Sequence, residues 1–248
     1  MKRYSQYLTK VVSFLLFIAV WNIVAHLIGN RFLFPNIKEI LKALGLIVTG
    51  ENFLTIIGGT LRKLIMVILV SGILGTLFGV LSYRYSIIKI LILPYVSFVK
   101  SVPTIAMIIL VLIWSRAEIV PVIVGSLILF PILYDHIVSG IESIDRNLVK
   151  MSKIFKVSRY RMLKDIYIPG VYFHISGGIH SLVGLTFKVI IAGEVLSQES
   201  MSIGGEILLN KIYLESSKIF AWVIIVILLN FVIEQSILFF NGKITSWR

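Results

Sequence analysis

The 248-residue sequence contains no cysteine. This absence excludes disulfide bonds, thiolate zinc sites and a cysteine nucleophile. The four histidines are scattered, and the two nearest in sequence, His174 and His180, are six residues apart. Side chains on one face of a helix are three or four residues apart, so this pair does not have the spacing of metal ligands on a single helix.

The sequence also lacks the signature of a nucleotide-binding loop. GKIT, at residues 242–245, has no upstream glycine at the required distance and does not join a strand to a helix. No Ser-His-Asp set or carboxylate pair stands out either. We therefore expect neither an enzyme nor a bound cofactor, with any ATP bound by a partner subunit.

Charged side chains are few. They make up 15% of the chain, whereas 58% is hydrophobic, and the mean hydropathy is +0.97. A soluble domain of this length needs more polar surface, so the composition indicates an integral membrane protein.

Long apolar stretches predict about six spanning helices in an all-α, polytopic fold, since a span needs roughly 20 apolar residues. The first resembles a signal peptide, but it is long and no small-residue cleavage site follows it, so we expect it to be retained. No internal repeat is evident, and a single membrane domain, 1–248, is predicted. The predicted spans are 11–29, 64–83, 87–114, 119–138, 170–193 and 219–240.

The net charge of +12 comes from 24 basic and 12 acidic residues. With the N-terminus inside, fourteen basic residues fall on cytoplasmic segments, eight on outer segments and two within spans. This bias predicts cytoplasmic termini and a cytoplasmic loop at 141–169 in a bacterial plasma membrane. The outer segment 30–63 contains an amphipathic pattern after Pro35, which predicts a helix along the membrane surface.

The loop 141–169 contains a basic, amphipathic stretch, NLVKMSKIFKVSRYRMLKDIYIP. Its pattern predicts a helix, a turn and a second helix capped by Ser158, with Pro169 where the next span begins. Three interpretations remain open. The stretch could be an ordinary positive-inside loop against lipid, a nucleic-acid surface, or a docking element for a cytoplasmic protein. Its few aromatic residues argue against nucleic acid.

The stretch resembles the cytoplasmic EAA loop of permease subunits of binding-protein-dependent ABC importers. With Pro169 as the anchor, the E-A-A positions fall on Lys150, Met151 and Ser152. The I-x-L-P ending falls on residues 166–169. The resemblance implies ATPase coupling by a set of residues: Lys150, Met151, Ser152, Phe155, Lys156, Val157, Ser158, Arg159 and Arg161.

Two positions depart from the family pattern. Lys150 replaces its glutamate, and Lys156 replaces a glycine that would end the helix in the left-handed region. A lysine there accepts a strain of roughly 1 kcal/mol or requires a different turn.

Further motifs resemble the nitrate, sulfonate and taurine type of these permeases. They include VKSVPTIAMIILVLIW, FPILYDHIVSGIESID and GLTFKVIIAGEVLS, with Asp135 where the family has asparagine. The resemblance implies a type I importer fold with a coupling helix. It also implies a second permease copy, forming a homodimer, an ATPase dimer in the cytoplasm and an extracellular solute-binding protein.

Charges within predicted spans are candidates for the translocation pathway, because burying them in lipid is costly. Lys100, beside a predicted kink at Pro103, and Lys188 are the principal candidates, and each is alternatively a member of a structural ion pair. His180 and Glu194 are weaker candidates, with Glu194 assigned mainly a structural role. Two intramembrane lysines favour a small, anionic solute.

Two alternatives to an ATP-driven permease remain. A secondary transporter or channel predicts an inverted repeat, and none is evident. A non-transporting scaffold gives no reason for intramembrane lysines. The glycines at 72, 75 and 79 have the spacing of a close helix–helix contact.

Overall fold

The computed structural model describes residues 2–30 and 32–245, with side chains at 9, 12–13, 15–30 and 32–239. These residues form helices joined by short turns, with no strand among them, and the predicted all-α fold class is confirmed. The helices are α1 (Lys2–Ile28), α2 (Ile37–Val48), α3 (Phe53–Arg84), α4 (Ser86–Ser101), α5 (Thr104–Trp114), α6 (Val120–Glu142), α7 (Arg146–Ile154), α8 (Arg159–Met162), a π-helix (Leu163–Tyr167), α9 (Ile168–Ser176), α10 (Ile179–Ser197), α11 (Ile203–Ile212) and α12 (Ser216–Thr245).

Four helices, α3, α6, α10 and α12, are long and apolar enough to cross a membrane. The pair α4 and α5 meets the same criterion jointly but bends by 107° between its two halves. In α1 the apolar part among the described residues is Leu15–Ile28, which is shorter than the roughly 20 residues of a full span. The described residues therefore support four or five spans, where the sequence predicted about six.

The bend between α4 and α5 corrects the predicted single span at 87–114. Val102 is extended, with φ −79° and ψ 128°, as is usual for a residue before proline. Pro103 has no N–H to donate to the preceding turn. These two effects end α4 at Ser101 and redirect the chain, so the predicted kink is a complete break.

The predicted span 170–193 also differs in its boundaries. Helical structure continues from Arg159 through Pro169 without a stop, and the interruption lies at Gly177 and Gly178, between α9 and α10. Pro169 has no amide to donate to the carbonyl of Asp165. The turn before it widens into the π-helix, in which the amide of Ile168 donates to the carbonyl of Leu163, five residues back.

The most extensive helix–helix contact joins α3 and α6. A Cβ added at Gly79 would lie 2.8 Å from Cγ2 of Ile137, and one added at Gly75 would lie 3.0 Å from Cβ of Leu133. These two glycines therefore permit close approach, as predicted. Gly72 has no heavy atom within 4 Å of such a Cβ, so its assignment to packing is wrong.

A second layer covers one end of the long helices. The predicted helix after Pro35 is α2, and the carboxylate of Glu39 accepts from the amide of Asn36 (3.1 Å) at its start. Its buried face, around Ile40 and Ala43, packs on Ala221 of α12. The indole of Trp21 in α1 donates to the carbonyl of Pro35 (3.1 Å), which fixes the end of α1 beside this layer.

The contact between α3 and α6 gives a matched pair of substitutions. Gly79→Ala should overpack the buried Ile137 and destabilise the protein by about 1–3 kcal/mol. Gly72→Ala should be neutral or stabilising by up to about 1 kcal/mol, because alanine favours a helix and has room there. Thermal unfolding in detergent measures both, and an equal effect of the two changes would contradict this packing.

Candidate functional site

The loop between α6 and α9 forms a compact helical hairpin, which we call the coupling segment (residues 145–167). The carboxylate of Asp145 caps α7 by accepting from the amide of Asn147 (2.8 Å). After the turn, the hydroxyl of Ser158 accepts from the amide of Arg161 (3.3 Å), which is the predicted cap of the second helix. Each of the two helical parts of the segment therefore begins at a side-chain cap.

The turn at Lys156 has the shape that a glycine would give it. Lys156 has φ +52°. Its amide donates to the carbonyl of Lys153 (3.1 Å), and the amide of Val157 donates to that of Ser152 (2.9 Å). This pair of bonds defines a Schellman motif with the left-handed residue at its centre. The chain thus accepts the strain instead of forming a different turn.

The tip of the coupling segment presents apolar side chains to its surroundings. Ile154 is 75% exposed and Phe155 is 74% exposed, while Met151 lies beside them on α7 at 55%. Lys150, Lys156, Arg159 and Arg161 are exposed around this tip, and Val157 and Ser152 are half-buried. All nine predicted residues thus lie on the segment with exposed or half-buried side chains. Sequence reasoning missed Ile154, although its position beside Phe155 and three residues after Met151 could have indicated it.

Behind this surface, a groove separates α7 from the end of α3. Arg146, Lys150 and Lys153 line one wall, and Tyr83 and Tyr167 line the other. Burial and a hydrogen bond with Tyr83 raise the pKa of the Tyr167 phenol, which keeps this residue neutral. The π-helix is thereby joined to the C-terminal end of α3.

The four pathway candidates lie in different environments. Lys100 forms an ion pair with Asp135 of α6, and both side chains are close to half-exposed. Lys188 is exposed and has no ion pair among the described residues. His180 is half-buried, and its Nδ1 has no hydrogen-bond partner in the described part of the chain.

Glu194 is fully buried at the end of α10 and is the centre of a polar cluster. It accepts from the Thr60 hydroxyl (2.9 Å) and the Gly204 amide (3.0 Å), and it pairs with Lys63 at 2.8 Å. Glu199 pairs with the same ammonium at 2.6 Å. Lys63, not Lys188, is thus the ionic partner of Glu194.

The cluster ties the turn after α10 to α3. A Cβ at Gly204 would lie 2.5 Å from that of Glu194, so only glycine fits at this point. A side chain with no exposed surface does not contact a solute path in this conformation. The geometry of Glu194 is that of a structural anchor.

Replacing Lys156 tests the strained turn. Lys156→Gly should stabilise the protein by up to about 1 kcal/mol, because glycine adopts a positive φ without a Cβ clash. Lys153→Gly, three residues earlier within α7, should instead destabilise it by about 1 kcal/mol. Thermal unfolding distinguishes the two, and destabilisation by both changes would contradict the left-handed turn.

The polar cluster predicts a dependence of stability on pH. Burial raises the pKa of the Glu199 carboxyl above its usual 4.5, although Lys63 acts in the opposite direction, and Glu194 and Glu118 raise it further. Between pH 4.5 and the raised pKa, the folded state keeps a proton that the unfolded chain releases. Stability should therefore fall as pH rises through this window.

The control for this prediction is the neutral variant. Glu199→Gln should reduce the pH slope of the melting temperature in this window, whereas Glu51→Gln, at an exposed position, should leave it unchanged. A slope that persists undiminished in Glu199→Gln would show that the cluster is not its source.

Comparison of the chain with known proteins gives three relevant similarities. Residues 71–246 match the family model described as the binding-protein-dependent transport system inner membrane component. The chain is 21% identical over 234 residues to SsuC of Bacillus subtilis (strain 168), whose name describes a proposed permease for aliphatic sulfonates. The alignment covers 93% of this chain and 84% of SsuC. A proposed ABC transporter permease of Methanocaldococcus jannaschii is 22% identical over 243 residues, with 93% and 88% covered.

A solved structure supports the fold. The crystal structure of an amino acid ABC transporter with histidines superposes with a TM-score of 0.57 at 16% identity, covering 77% of this chain and 92% of that one. At this identity the similarity concerns the fold alone. The family match covers most of the chain and includes α6 and the coupling segment. The chain belongs to the family of binding-protein-dependent transport inner membrane components and is a multi-pass permease subunit of an ABC importer.

Proposed function

We propose that the coupling segment docks on a separate ATPase subunit in the cytoplasm and transmits its movement to the spanning helices. The observation that carries this proposal is the exposed apolar tip at Ile154 and Phe155, surrounded by basic side chains. An apolar anchor with a charged rim is the usual composition of a protein-binding hot spot. A lipid-facing loop gives no reason for a strained, fully hydrogen-bonded turn beneath the tip.

The complete assembly that we propose contains two copies of this permease, an ATPase dimer and an extracellular solute-binding protein. Both termini of the permease lie in the cytoplasm, as the distribution of basic residues favours, and the membrane is the bacterial plasma membrane. The chain itself performs no hydrolysis. ATP is bound by the partner, whose closure shifts the permease between inward-open and outward-open states.

The solute path runs, in this proposal, along the surface that carries Lys100 and Lys188. Charged side chains with exposed surface at membrane depth require water or a partner subunit. Since SsuC is named for aliphatic sulfonates, we propose a small, acid-bearing solute. His180 has a vacant ring nitrogen among the described residues and is a secondary member of this path.

Docking is tested by co-purification with the ATPase subunit of the same importer. Phe155→Asp should weaken the complex by about 30-fold or more, the effect of losing a hot spot of 2 kcal/mol. Ile212→Asp is the matched control, because Ile212 is also exposed, at 67%, but lies at the end of α11. Retention of the ATPase by Phe155→Asp, or its loss from both variants, would contradict docking at this tip.

A further inference from the structure

An ion pair within the predicted spans joins α4 to α6, close to the break between α4 and α5. Lys100 lies in the last turn of α4, and Asp135 lies well inside α6, seven residues before its end. The side chains are 45% and 43% exposed. A charge pair in the body of a spanning helix does not face hydrocarbon without cost, so this half-exposed pair faces either water or another subunit.

The backbone at the same place leads to the same conclusion. Ser101 and Pro103 are exposed at the break between α4 and α5. Non-helical backbone at membrane depth is tolerated only where protein buries it or where it lines a water-filled cavity. This chain does not bury it, and the ion pair beside it is equally uncovered. The exposed helix break and the half-exposed ion pair therefore indicate one polar surface.

We propose that Asp135 is a specificity-determining residue of the translocation pathway, and that the Lys100–Asp135 pair selects a small solute carrying both an ammonium and an acid group. This inference rests on the proposed function and narrows its solute class. The two intramembrane lysines taken alone favour a small, anionic solute, but Lys100 is paired with Asp135. The Asp135 carboxylate balances the positive charge of Lys100.

The electrostatics of the pair distinguish the two solute classes. An anion without a positive group is attracted by Lys100 and repelled by Asp135 at similar distances, so the two terms largely cancel. A zwitterion can direct its acid group to Lys100 and its ammonium to Asp135. Both protein charges then exchange one partner for another, and no charge is left unpaired in the path.

A second ion pair between the same helices provides a natural control. Lys89, near the start of α4, pairs with Glu142, the last residue of α6, at 2.9 Å. It has the same charges and a similar exposure, 45% and 51%. It lies at the helix ends next to the coupling segment, away from the break, so it should not influence selectivity.

Cysteine labelling tests whether the surface is wet, since the chain has no native cysteine. In the permease–ATPase complex in lipid nanodiscs, Ser101→Cys should react with small, charged methanethiosulfonate reagents. Leu91→Cys, at a 72%-exposed apolar position of α4, should react at least about 10-fold more slowly, because the charged reagent does not enter lipid. An unreactive Ser101→Cys would overturn the proposal.

Reagents of opposite charge then test the role of Asp135. In Ser101→Cys, the sulfonate-bearing and ammonium-bearing reagents should react at comparable rates. Adding Asp135→Asn should raise the anionic-to-cationic rate ratio by about 10-fold, since Lys100 is then unopposed. Glu142→Gln should leave the ratio unchanged. The double variant Lys100→Asp with Asp135→Lys keeps both charges and should also leave the ratio unchanged. It replaces the single variant if Asp135→Asn does not fold.

Solute class is tested by protection with two compounds that differ in one ammonium group. 2-Aminoethanesulfonate should slow the labelling of Ser101→Cys more than ethanesulfonate does, and Asp135→Asn should reverse this order. Equal protection by the two compounds, or none by either, would overturn the inference. If the labelled complex still retains and activates its ATPase, such a result rejects the solute class alone and leaves the proposed function standing.

Discussion

The structure depends on one constraint, which is that hydrocarbon supplies no hydrogen-bond partner to the peptide backbone. Continuous helices pair their internal amides and carbonyls, and α3, α10 and α12 do so over long apolar stretches. α6 does so except at Pro131, which has no amide to donate. Each interruption must then lie in water, against protein or at a polar surface. Among the described residues, the predicted spans are interrupted at 101–103 and 177–178, and the helix widens without a stop in the π-helix at 163–167. The first is beside the Lys100–Asp135 pair, and the other two bound α9, which connects the coupling segment to α10.

Close packing joins the coupling segment to the spanning helices at both of its ends. A Cβ at Gly170 would lie 2.9 Å from Cγ1 of Ile144, and one at Gly140 would lie 3.2 Å from Cα of Val171. The end of α6 and the start of α9 therefore approach each other with little free space. In the coupling role that we propose, a displacement of the segment would therefore reach two helices at once, because packed interfaces shift between discrete arrangements and do not deform gradually.

Much of the fold could be predicted from the sequence because membrane depth sets a length and a composition that are easily recognised. The apolar stretches all fall on helices, and the caps at Ser158 and after Pro35 follow from local hydrogen-bonding chemistry. The breaks were harder to predict. Pro103 indicated a kink, but only the extended Val102 shows that the chain turns by 107°. The pair Gly177–Gly178 is an ordinary signal in a membrane helix and did not stand out.

The polar contacts were predicted least well, because they join residues far apart in sequence. Glu194 pairs with Lys63, 131 residues away, and Lys100 pairs with Asp135, 35 residues away. Pattern and spacing along one helix contain no information about such partners. Local reasoning was more successful at Lys156. The family motif has a left-handed glycine at this position, and Lys156 adopts the same left-handed conformation.

The central claim is that the apolar tip of the coupling segment contacts an ATPase. Photo-cross-linking tests this most directly, with a benzophenone amino acid incorporated in place of Phe155 and irradiation in intact cells. The account predicts a cross-linked product that contains the permease and the ATPase subunit of the same importer, and that is absent when the same amino acid replaces Ile212. Cross-links from the Phe155 position to lipid alone would contradict it.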